Sequence, residues 1–451
     1  MARKLFGTDG IRGVAGEYPL DRATVYATGA ALGKWVGSAD AGHEVVIGMD
    51  TRESGSWLAA EVAGGLKREG VGAQFAGVTT TPGVAYLAKT GPFAAGVMIS
   101  ASHNPYRDNG IKVIDHSGYK LPDDVEERLE TELFAYLKDG LLPEPVDMSV
   151  NAELDHTYIE HLVGTASMRF DGLKLAVDCA NGSASLLGPE LFERLGATVV
   201  RTGCAPDGRN INLNCGSLHL GSLREVVLKE GADLGIAFDG DADRALFVSH
   251  DGRIIDGDAV MLICARRLQE QGKLGDKEGK PVVVATVMSN LGLQRALAAH
   301  GIEMVRTPVG DKYVLEEMLR RGAMLGGEQA GHVIFREYAT TGDGMLTALR
   351  VLDAVTGSAK GLDELASEFR EYPQLLLNVR VKQRRPLDEL TLVKHEIAAA
   401  EHAFGDSGRV LVRFSGTEPL LRVMVEGPDA ERVRVFAERI VSQIRIELGA
   451  E

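Results

Sequence analysis

The chain of 451 residues repeats one order of hydrophobic and polar positions three times. Each repeat opens with an apolar run that ends in a polar loop, and these runs begin at Val45, Leu173 and Val282. An amphipathic stretch with apolar residues at every fourth position follows, as in a helix packed on one face. These stretches end at Gly70, Gly196 and Gly301, and a second apolar run follows each glycine. This order predicts three strand–helix–strand units, and hence three topologically similar α/β domains with mixed, largely parallel sheets.

Each repeat then continues into a further apolar run that ends in a chemically rich loop. The three loops contain ISASHNPYRDNGIK, FDGDADR and GGEQAGH. In open α/β sheets, ligands bind beyond the carboxyl ends of the strands. We therefore expect the three loops to form one shared site.

The pattern changes at about Tyr372 and predicts a smaller α+β domain at the C-terminus. Its expected elements are a strand Leu375–Val381, a helix Leu387–Phe404, strands Arg409–Phe414 and Leu420–Glu426, and a helix Ala430–Leu448. The aperiodic segment Asp139–Val150 contains two prolines and is a candidate linker. We place the four domains at 1–150, 151–256, 257–370 and 371–451.

Composition and charge narrow the classes of partner. The formal net charge is −15, which disfavours nucleic acid and anionic membranes as partners, although a local basic cleft can still bind a small anion. None of the four cysteines forms a C-x-x-C pair, so a zinc ribbon or thioredoxin motif has no support. No apolar run approaches the roughly 18 residues of a membrane span, and no apolar signal segment opens the chain. We expect a soluble cytoplasmic protein with a small-molecule substrate; both a monomer and a homodimer stay open.

The loop FDGDADR is a candidate metal site. Asp239, Asp241 and Asp243 alternate, so in an extended chain their carboxylates point the same way. Such oxygen ligands suit Mg²⁺ or Ca²⁺. The EF-hand pattern fails, because Arg244 and His250 occupy its sixth and twelfth positions. The alternative is a solvated acidic turn without an ion.

The loop around Ser102 is a candidate phosphoryl carrier. A serine can hold a phosphoryl group covalently, His103 can move a proton near neutral pH, and Lys112 can neutralise phosphate charge. The alternative is an ordinary Ser/Asn-Pro turn with Lys112 exposed. Glycines do not flank Ser102 in the G-x-S-x-G manner, so a hydrolase elbow is not supported.

The loop GGEQAGH offers side chains that hydrogen-bond hydroxyl groups, namely Glu328, Gln329 and His332. Such a set can recognise a sugar, although without further context an ordinary polar turn explains the loop better.

The segment RFSGTEPLLR is a candidate phosphate clamp. Its ligands would be Arg413, Ser415, Thr417, the backbone near Gly416, and Arg422. The alternative is a simple hairpin loop between two strands. Arg12, in FGTDGIRG, is a further candidate that says little alone. The absence of G-x-G-x-x-G and of G-x-x-x-x-G-K-[ST] weakens dinucleotide and P-loop hypotheses.

Together these loops are more specific than any one of them. A serine, three aspartates, a sugar-binding loop and a phosphate clamp fit phosphoryl transfer on a phosphosugar, where positioning and charge neutralisation dominate catalysis.

The motifs also resemble the α-D-phosphohexomutase family, in the family's order and over nearly the whole chain. The matching stretches are FGTDGIRG, ASHNPYRDNGIK, FDGDADR, GGEQAGH, TTGDG (Thr340–Gly344) and SGTEP. The resemblance implies three α/β domains of one topology and a C-terminal domain around a central cleft. It implies that Ser102 is phosphorylated and that a phosphoserine oxygen, Asp239, Asp241 and Asp243 hold one Mg²⁺.

The resemblance also assigns roles to the remaining candidates. Arg12, His103, Lys112 and Arg244 would surround the reacting phosphate, and the match does not decide which of them moves the proton. Arg413, Ser415, Gly416, Thr417 and Arg422 would hold the phosphate that is not reacting.

Within the family, the chain is most similar to members that interconvert glucosamine 6-phosphate and glucosamine 1-phosphate. Gln329 and the run VRFSGTEPLLRVMVEG carry this similarity. The implied reaction passes through a bisphosphorylated sugar, uses hexose 1,6-bisphosphate as activator, and leads to UDP-N-acetylglucosamine and the bacterial cell wall. Ala330 and Phe414 depart from the family pattern, which usually has serine and lysine or proline there.

Three other functions stay open at this point. A glucose or mannose phosphate can be the substrate of the same chemistry. A dehalogenase-type phosphotransferase would use Asp239 as nucleophile, but Asp243 stands where that motif wants glycine or threonine. A non-catalytic sugar-phosphate binding protein is not favoured, because Ser102 and all three aspartates are present.

Overall fold

The computed structural model describes residues 5–7, 9–37, 44–414 and 420–449. These residues form two compact units. The first contains the described residues up to Val287 together with Ile302–Ser367, and the second contains Met288–Gly301 with the described residues from Glu368 onward.

The first unit opens with a six-stranded mixed sheet. Its elements are β1 (Phe6–Gly7), β2 (Gly10–Val14), α1 (Arg22–Gly37), β3 (Glu44–Met49), α2 (Gly55–Arg68), β4 (Gly72–Val78), α3 (Thr81–Thr90), β5 (Ala95–Ile99), β6 (Asp108–Asp115) and α4 (Asp123–Lys138). The strand order is β1-β2-β6-β5-β3-β4. Strand β3 pairs in parallel with β4 and β5, whereas β6, β2 and β1 extend the sheet with antiparallel pairings.

A second sheet follows in the same unit. Its elements are α5 (Ala152–Thr165), β7 (Lys174–Asp178), α6 (Ala184–Arg194), β8 (Thr198–Thr202), α7 (Leu220–Glu230), β9 (Leu234–Phe238), β10 (Ala245–Ser249) and β11 (Ile254–Ile255). The order is β11-β10-β9-β7-β8, and β7 pairs in parallel with β8 and β9.

The third region contains α8 (Gly257–Glu270), β12 (Val282–Thr286), α9 (Leu291–Ala299), β13 (Glu303–Thr307), α10 (Asp311–Arg321), β14 (Leu325–Gly327), β15 (Val333–Phe335), α11 (Gly344–Ser358) and α12 (Leu362–Leu365). Its sheet has the order β13-β12-β14-β15, with β12 parallel to both neighbours.

The three sheets therefore share one topology, as the repeated pattern predicts. In each, the first strand of the repeat is central, the second and third strands flank it in parallel, and the next strand is antiparallel. The central strands β3, β7 and β12 are buried except at terminal residues, as strands covered by helices on both faces are.

The second unit contains α9, which follows β12 along the chain, and a smaller antiparallel sheet. Its elements are β16 (Gln374–Arg380), α13 (Thr391–Phe404), β17 (Arg409–Phe414), β18 (Leu420–Glu426) and α14 (Ala430–Leu448), and the strand order is β16-β18-β17. Apolar residues of α13, α14 and the sheet form one core.

Two local expectations need adjustment. Helix α13 begins at Thr391, because the expected first turn, Leu387–Glu389, is a 3₁₀ turn that follows Pro386. The candidate linker lies against the first domain: Val146 donates a backbone hydrogen bond to Ala60, and Val150 forms a bridge with Phe75.

No helix among the described residues combines the length and the apolar composition that a membrane span requires.

Candidate active site

The turn after β5 presents Ser102 to the second domain. Its backbone has a φ of 51°, a left-handed conformation that non-glycine residues adopt rarely, most often at functional sites. The side chain is buried, and its Oγ donates to Asp239 Oδ2 at 2.6 Å. His103 Nδ1 lies 3.2 Å from the same Oγ. The predicted nucleophile thus meets the predicted metal loop.

The loop between β9 and β10 brings the three aspartates together. It is a turn rather than an extended segment, since the Ala242 N–H donates to the Asp239 carbonyl and Ala242 has a φ of 56°. Asp239, Asp241 and Asp243 are buried, and each offers an oxygen within 4.8 Å of the others. Convergence therefore comes from the turn and not from strand alternation.

The donor set fits a hard divalent cation. Burial, together with the charges of Asp243 and Asp241, raises the pKa of Asp239 well above its usual value. Asp241 Oδ1 and Asp243 Oδ1 are buried without a hydrogen-bond partner among the described residues. Crowded carboxylates with unsatisfied oxygens are the environment that Mg²⁺ or Ca²⁺ stabilises.

Lys112 compensates part of this negative charge. Its Nζ lies 2.8 Å from Asp241 Oδ2 and 3.0 Å from Asp9 Oδ2. Burial alone would lower the pKa of Lys112, but Asp241 and Asp9 raise it above its usual value. Thr81 Oγ1 also donates to Asp241 Oδ2, at 2.5 Å. A lysine held in this way stays charged, so it is suited to neutralise charge and is a poor base.

A cavity of about 440 Å³ opens beside the triad, within the volume range of small-molecule sites. Arg12, His103, Lys120 and Arg244 line it, and the two arginines are partly exposed. Arg12, Lys120 and Arg244 supply positive charge that can bind an anionic group, although Asp9, Asp243, Asp311 and Glu328 line the same cavity.

His103 is the cavity residue best suited to move a proton. Burial lowers its pKa, and the charges of Arg244 and Arg12 lower it further. The imidazole is therefore neutral near pH 7 and can accept a proton from a hydroxyl group.

The three candidate sugar ligands have different surroundings. Glu328 lines the cavity, and its Oε1 accepts from the Gly310 N–H at 3.2 Å. Gln329 Nε2 donates to Asp256 Oδ2 at 3.1 Å. His332 also lines the cavity but is buried, with Nδ1 3.5 Å from Asp243 Oδ2.

The candidate phosphate clamp belongs to the C-terminal sheet. Arg413 of β17 stands directly opposite Arg422 of β18. Burial lowers the pKa of Arg413, and the charge of Arg422 lowers it further. Like charges opposite each other destabilise a sheet, and a bound anion would relieve this repulsion. Ser415, Gly416 and Thr417 lie outside the described residues.

The structure adds three charged residues to the site, and two of them stand in no recognisable motif. Asp9 forms ion pairs with Arg12, Lys112 and Lys120, and Lys120 Nζ lies 2.6 Å from both Asp9 Oδ1 and Asp311 Oδ2. Asp9 belongs to the motif FGTDGIRG, so the sequence around it indicates a role at the site. Lys120 and Asp311 are 191 residues apart, and neither stands in a recognisable motif.

Sequence comparison identifies four consecutive regions of the phosphoglucomutase/phosphomannomutase family. The alpha/beta/alpha domain I matches residues 3–139, domain II matches 156–252, domain III matches 256–372, and the C-terminal domain matches 376–443.

Individual relatives cover the full chain. The phosphoglucosamine mutase of Solibacter usitatus is 59% identical over 449 residues, which is 100% of both chains. A phosphoglucomutase/phosphomannomutase family protein from Burkholderia thailandensis has the same fold, with a TM-score of 0.81 at 24% identity over 98% of this chain and 97% of that one. An N-acetylphosphoglucosamine mutase of Aspergillus fumigatus, solved with GlcNAc-6P and magnesium, has a TM-score of 0.63 at 18% identity over 98% and 96%. By these matches the chain belongs to the phosphoglucomutase/phosphomannomutase family, as its motifs predict.

Proposed function

We propose that the chain interconverts glucosamine 6-phosphate and glucosamine 1-phosphate, the reaction of a phosphoglucosamine mutase. The observation that carries the chemistry is the contact of Ser102 Oγ with Asp239, which places a nucleophilic hydroxyl against three clustered carboxylates. The full-length relative at 59% identity supports the amino sugar as substrate. The alternative is phosphomannomutase or phosphoglucomutase activity of the same family.

In the proposed cycle, Ser102 carries a phosphoryl group in the active enzyme. A sugar hydroxyl oxygen attacks the phosphorus, the bond from phosphorus to Ser102 Oγ breaks, and the hydroxyl proton passes to a base. The product is a bisphosphorylated sugar. This intermediate turns over and returns its other phosphoryl group to Ser102 Oγ, so the phosphoryl group has moved between two sugar oxygens.

Asp239, Asp241, Asp243 and an oxygen of phosphorylated Ser102 would hold one Mg²⁺ per chain. The ion would supply positive charge to the transferring phosphoryl group. We propose hexose 1,6-bisphosphate as the activator that restores the phosphoserine whenever the intermediate escapes.

The basic residues of the cavity have complementary roles in this proposal. Arg12 and Arg244 bind the reacting phosphate, because both line the cavity. Lys112 keeps the aspartate triad partly neutralised through its contact with Asp241. His103 accepts the sugar proton, since its ring is next to Ser102 Oγ and its pKa is lowered.

Sugar and distal phosphate binding complete the proposal. Glu328, Gln329 and His332 contact the sugar hydroxyls; Glu328 and His332 line the cavity, and Gln329 belongs to the same loop. Arg413, Ser415, Gly416, Thr417 and Arg422 bind the phosphate that does not react.

Several broader expectations stay predictions. They are the domain limits 1–150, 151–256, 257–370 and 371–451, a cytoplasmic location and a product that leads to UDP-N-acetylglucosamine; a monomer and a homodimer both stay open.

The test is a comparison of substrates. Turnover of glucosamine 6-phosphate is measured with Mg²⁺ and a trace of hexose 1,6-bisphosphate, beside glucose and mannose phosphates under the same conditions. We expect the highest kcat/KM for the amino sugar. Preference for glucose or mannose phosphate would assign the same residues to phosphoglucomutase or phosphomannomutase activity. No turnover of any of these sugar phosphates would contradict the proposal.

A further inference from the structure

Two side chains that do not line the cavity hydrogen-bond to the turn that carries Ser102. Arg52 Nη2 donates to the carbonyl oxygens of Ser102 and Asn104, at 3.1 and 2.6 Å. Asn212 Nδ2 donates to the same two oxygens, at 2.9 and 3.0 Å. The carbonyls of Ser102 and Asn104 therefore each accept two hydrogen bonds, one from each side chain.

Arg52 is fixed before it reaches the turn. It is 2% exposed, lies in the loop between β3 and α2, and forms an ion pair with Asp50. Asp50 also accepts a hydrogen bond from Ser100 Oγ at 2.5 Å, and that hydroxyl in turn accepts from the Ser102 N–H at 2.9 Å. A charged donor anchored in this way loses little side-chain freedom when it binds the two carbonyls.

Asn212 comes from the second domain, in the loop of residues 203–219 between β8 and α7. This loop contacts the first domain independently: the Glu53 N–H donates to the Gly208 carbonyl at 3.0 Å, and Arg209 Nε lies 2.7 Å from Glu53 Oε2. Its backbone is also tied to its own domain, because the Asn212 N–H donates to Ala180 at 2.8 Å. Through the Asn212 side chain, the position of the Ser102 turn therefore depends on the position of the second domain.

The metal loop meets the same carbonyl. A Cβ on Gly240 would lie 2.4 Å from the Ser102 oxygen and 3.0 Å from Asn212 Nδ2. Any larger residue at position 240 would clash with the Ser102 carbonyl oxygen. Arg52, Asn212 and Gly240 thus define together where the Ser102 turn sits relative to the three aspartates.

We propose that Arg52 and Asn212 are positioning residues that hold Ser102 in its left-handed conformation, with its hydroxyl facing the triad. Asn212 makes correct seating of the second domain on the first a condition for phosphoryl transfer. The effect of Asn212 on phosphoryl transfer rests on the proposed function, whereas its restraint of the Ser102 turn does not. Without these donors the turn is free to relax toward conformations that L-residues prefer, in which Ser102 Oγ leaves Asp239.

The experiment compares three variants of the full chain. Asn212→Ala removes the donor, and Asn212→Asp keeps the shape but places a carboxylate against two carbonyls. Arg209→Ala is the matched control, because it removes an exposed contact of the same loop to the first domain and leaves the turn untouched. Two quantities are measured for each: the kcat and KM of the mutase reaction, and hydrogen exchange of the backbone amides in residues 100–104.

We expect faster exchange of residues 100–104 in both Asn212 variants and wild-type exchange in Arg209→Ala. A misplaced nucleophile lowers kcat by about 10- to 100-fold. The KM of both Asn212 variants changes by less than about twofold, because Asn212 does not line the cavity. The control keeps wild-type values of kcat and KM.

Other results would overturn the proposal. Wild-type exchange and wild-type kcat in both Asn212 variants would remove the positioning role. Faster exchange spread over the whole chain would indicate general destabilisation instead. If the wild-type chain turns over no hexose phosphate, the proposed function fails, while the exchange of residues 100–104 still decides whether Asn212 restrains the turn.

Discussion

Removal of the Ser102 hydroxyl should stop turnover without unfolding the chain. Ser102→Ala deletes the oxygen that would carry the phosphoryl group, so we expect activity to fall by at least about 1,000-fold. The free energy of unfolding should change by only about 1 kcal/mol, the usual value of one hydrogen bond. A coupled assay measures activity, and urea unfolding measures stability. Ser56→Ala, at an exposed position of α2, is the control. Substantial activity in Ser102→Ala would exclude a phosphoserine mechanism.

Single residues differ in how far local sequence predicts their roles. Ser102 and the three aspartates stand in short motifs whose chemistry is visible in a few neighbouring positions. Lys120 and Asp311 meet across 191 residues, and Asn212 reaches Ser102 across 110. Their roles depend on how domains dock, which periodicity along the chain does not encode.

At the scale of helices and strands, the hydrophobic period predicts most of the sheet. The expected strands Arg409–Phe414 and Leu420–Glu426 and the helix Ala430–Leu448 have the predicted limits. The pattern does not predict helices α3, α7 and α10, which precede the third strand of each repeat. Two of them bury few residues: α7 buries Leu223 and Val227, and α10 buries Val314 and Met318. So narrow an apolar face gives a weak periodic signal, although Thr80 and Pro82 are a recognisable start for α3.

Helix α5 contains an acid whose ionisation should destabilise the fold. Burial raises the pKa of Asp155 to about 6, and its Oδ1 has no hydrogen-bond partner among the described residues. Because this folded-state pKa exceeds the unfolded value of 3.8, stability falls as pH rises from about 4 to about 6 and stays low above that. Asp155→Asn should therefore stabilise the chain above about pH 6, by up to about 3 kcal/mol, and have little effect below about pH 4.

Urea unfolding at pH 4, 5, 6 and 7.5 measures this dependence. Asp147→Asn is the control, since Asp147 is an exposed acid for which the same substitution should have nearly the same small effect at every pH. A pH-independent effect of Asp155→Asn would contradict the burial argument.

For the whole molecule, the repeat predicts that equivalent strand ends carry the three loops, whereas the docking of the domains brings these loops together. Ser102 contacts Asp239, and His332 lies 3.5 Å from Asp243, so one loop from each domain reaches the triad. The repeat does not predict which side chains line the cavity. The contact of Gln329 with Asp256 is an example, because the repeat gives no indication of it.

The two compact units should respond differently to magnesium. All three aspartates belong to the larger unit, where the mutual repulsion of their buried carboxylates, only partly compensated by Lys112, opposes folding. A cation that binds the folded state stabilises that unit by mass action. Calorimetry of the full chain should therefore show the transition of larger enthalpy rising by about 2–5 °C at a 100-fold excess of Mg²⁺ over its Kd.

The smaller transition should keep its midpoint, and a chelator should reverse the shift. Asp241→Asn should abolish the shift, because it removes one of the three carboxylate charges, whereas Glu225→Gln on the exposed face of α7 should retain it. If Asp241→Asn keeps the full magnesium response, the ion binds elsewhere, and the argument that the triad exists to hold it is wrong. If the shift is lost only in Asp241→Asn, the buried acidic turn, which is unfavourable by itself, is explained by the cation that it holds.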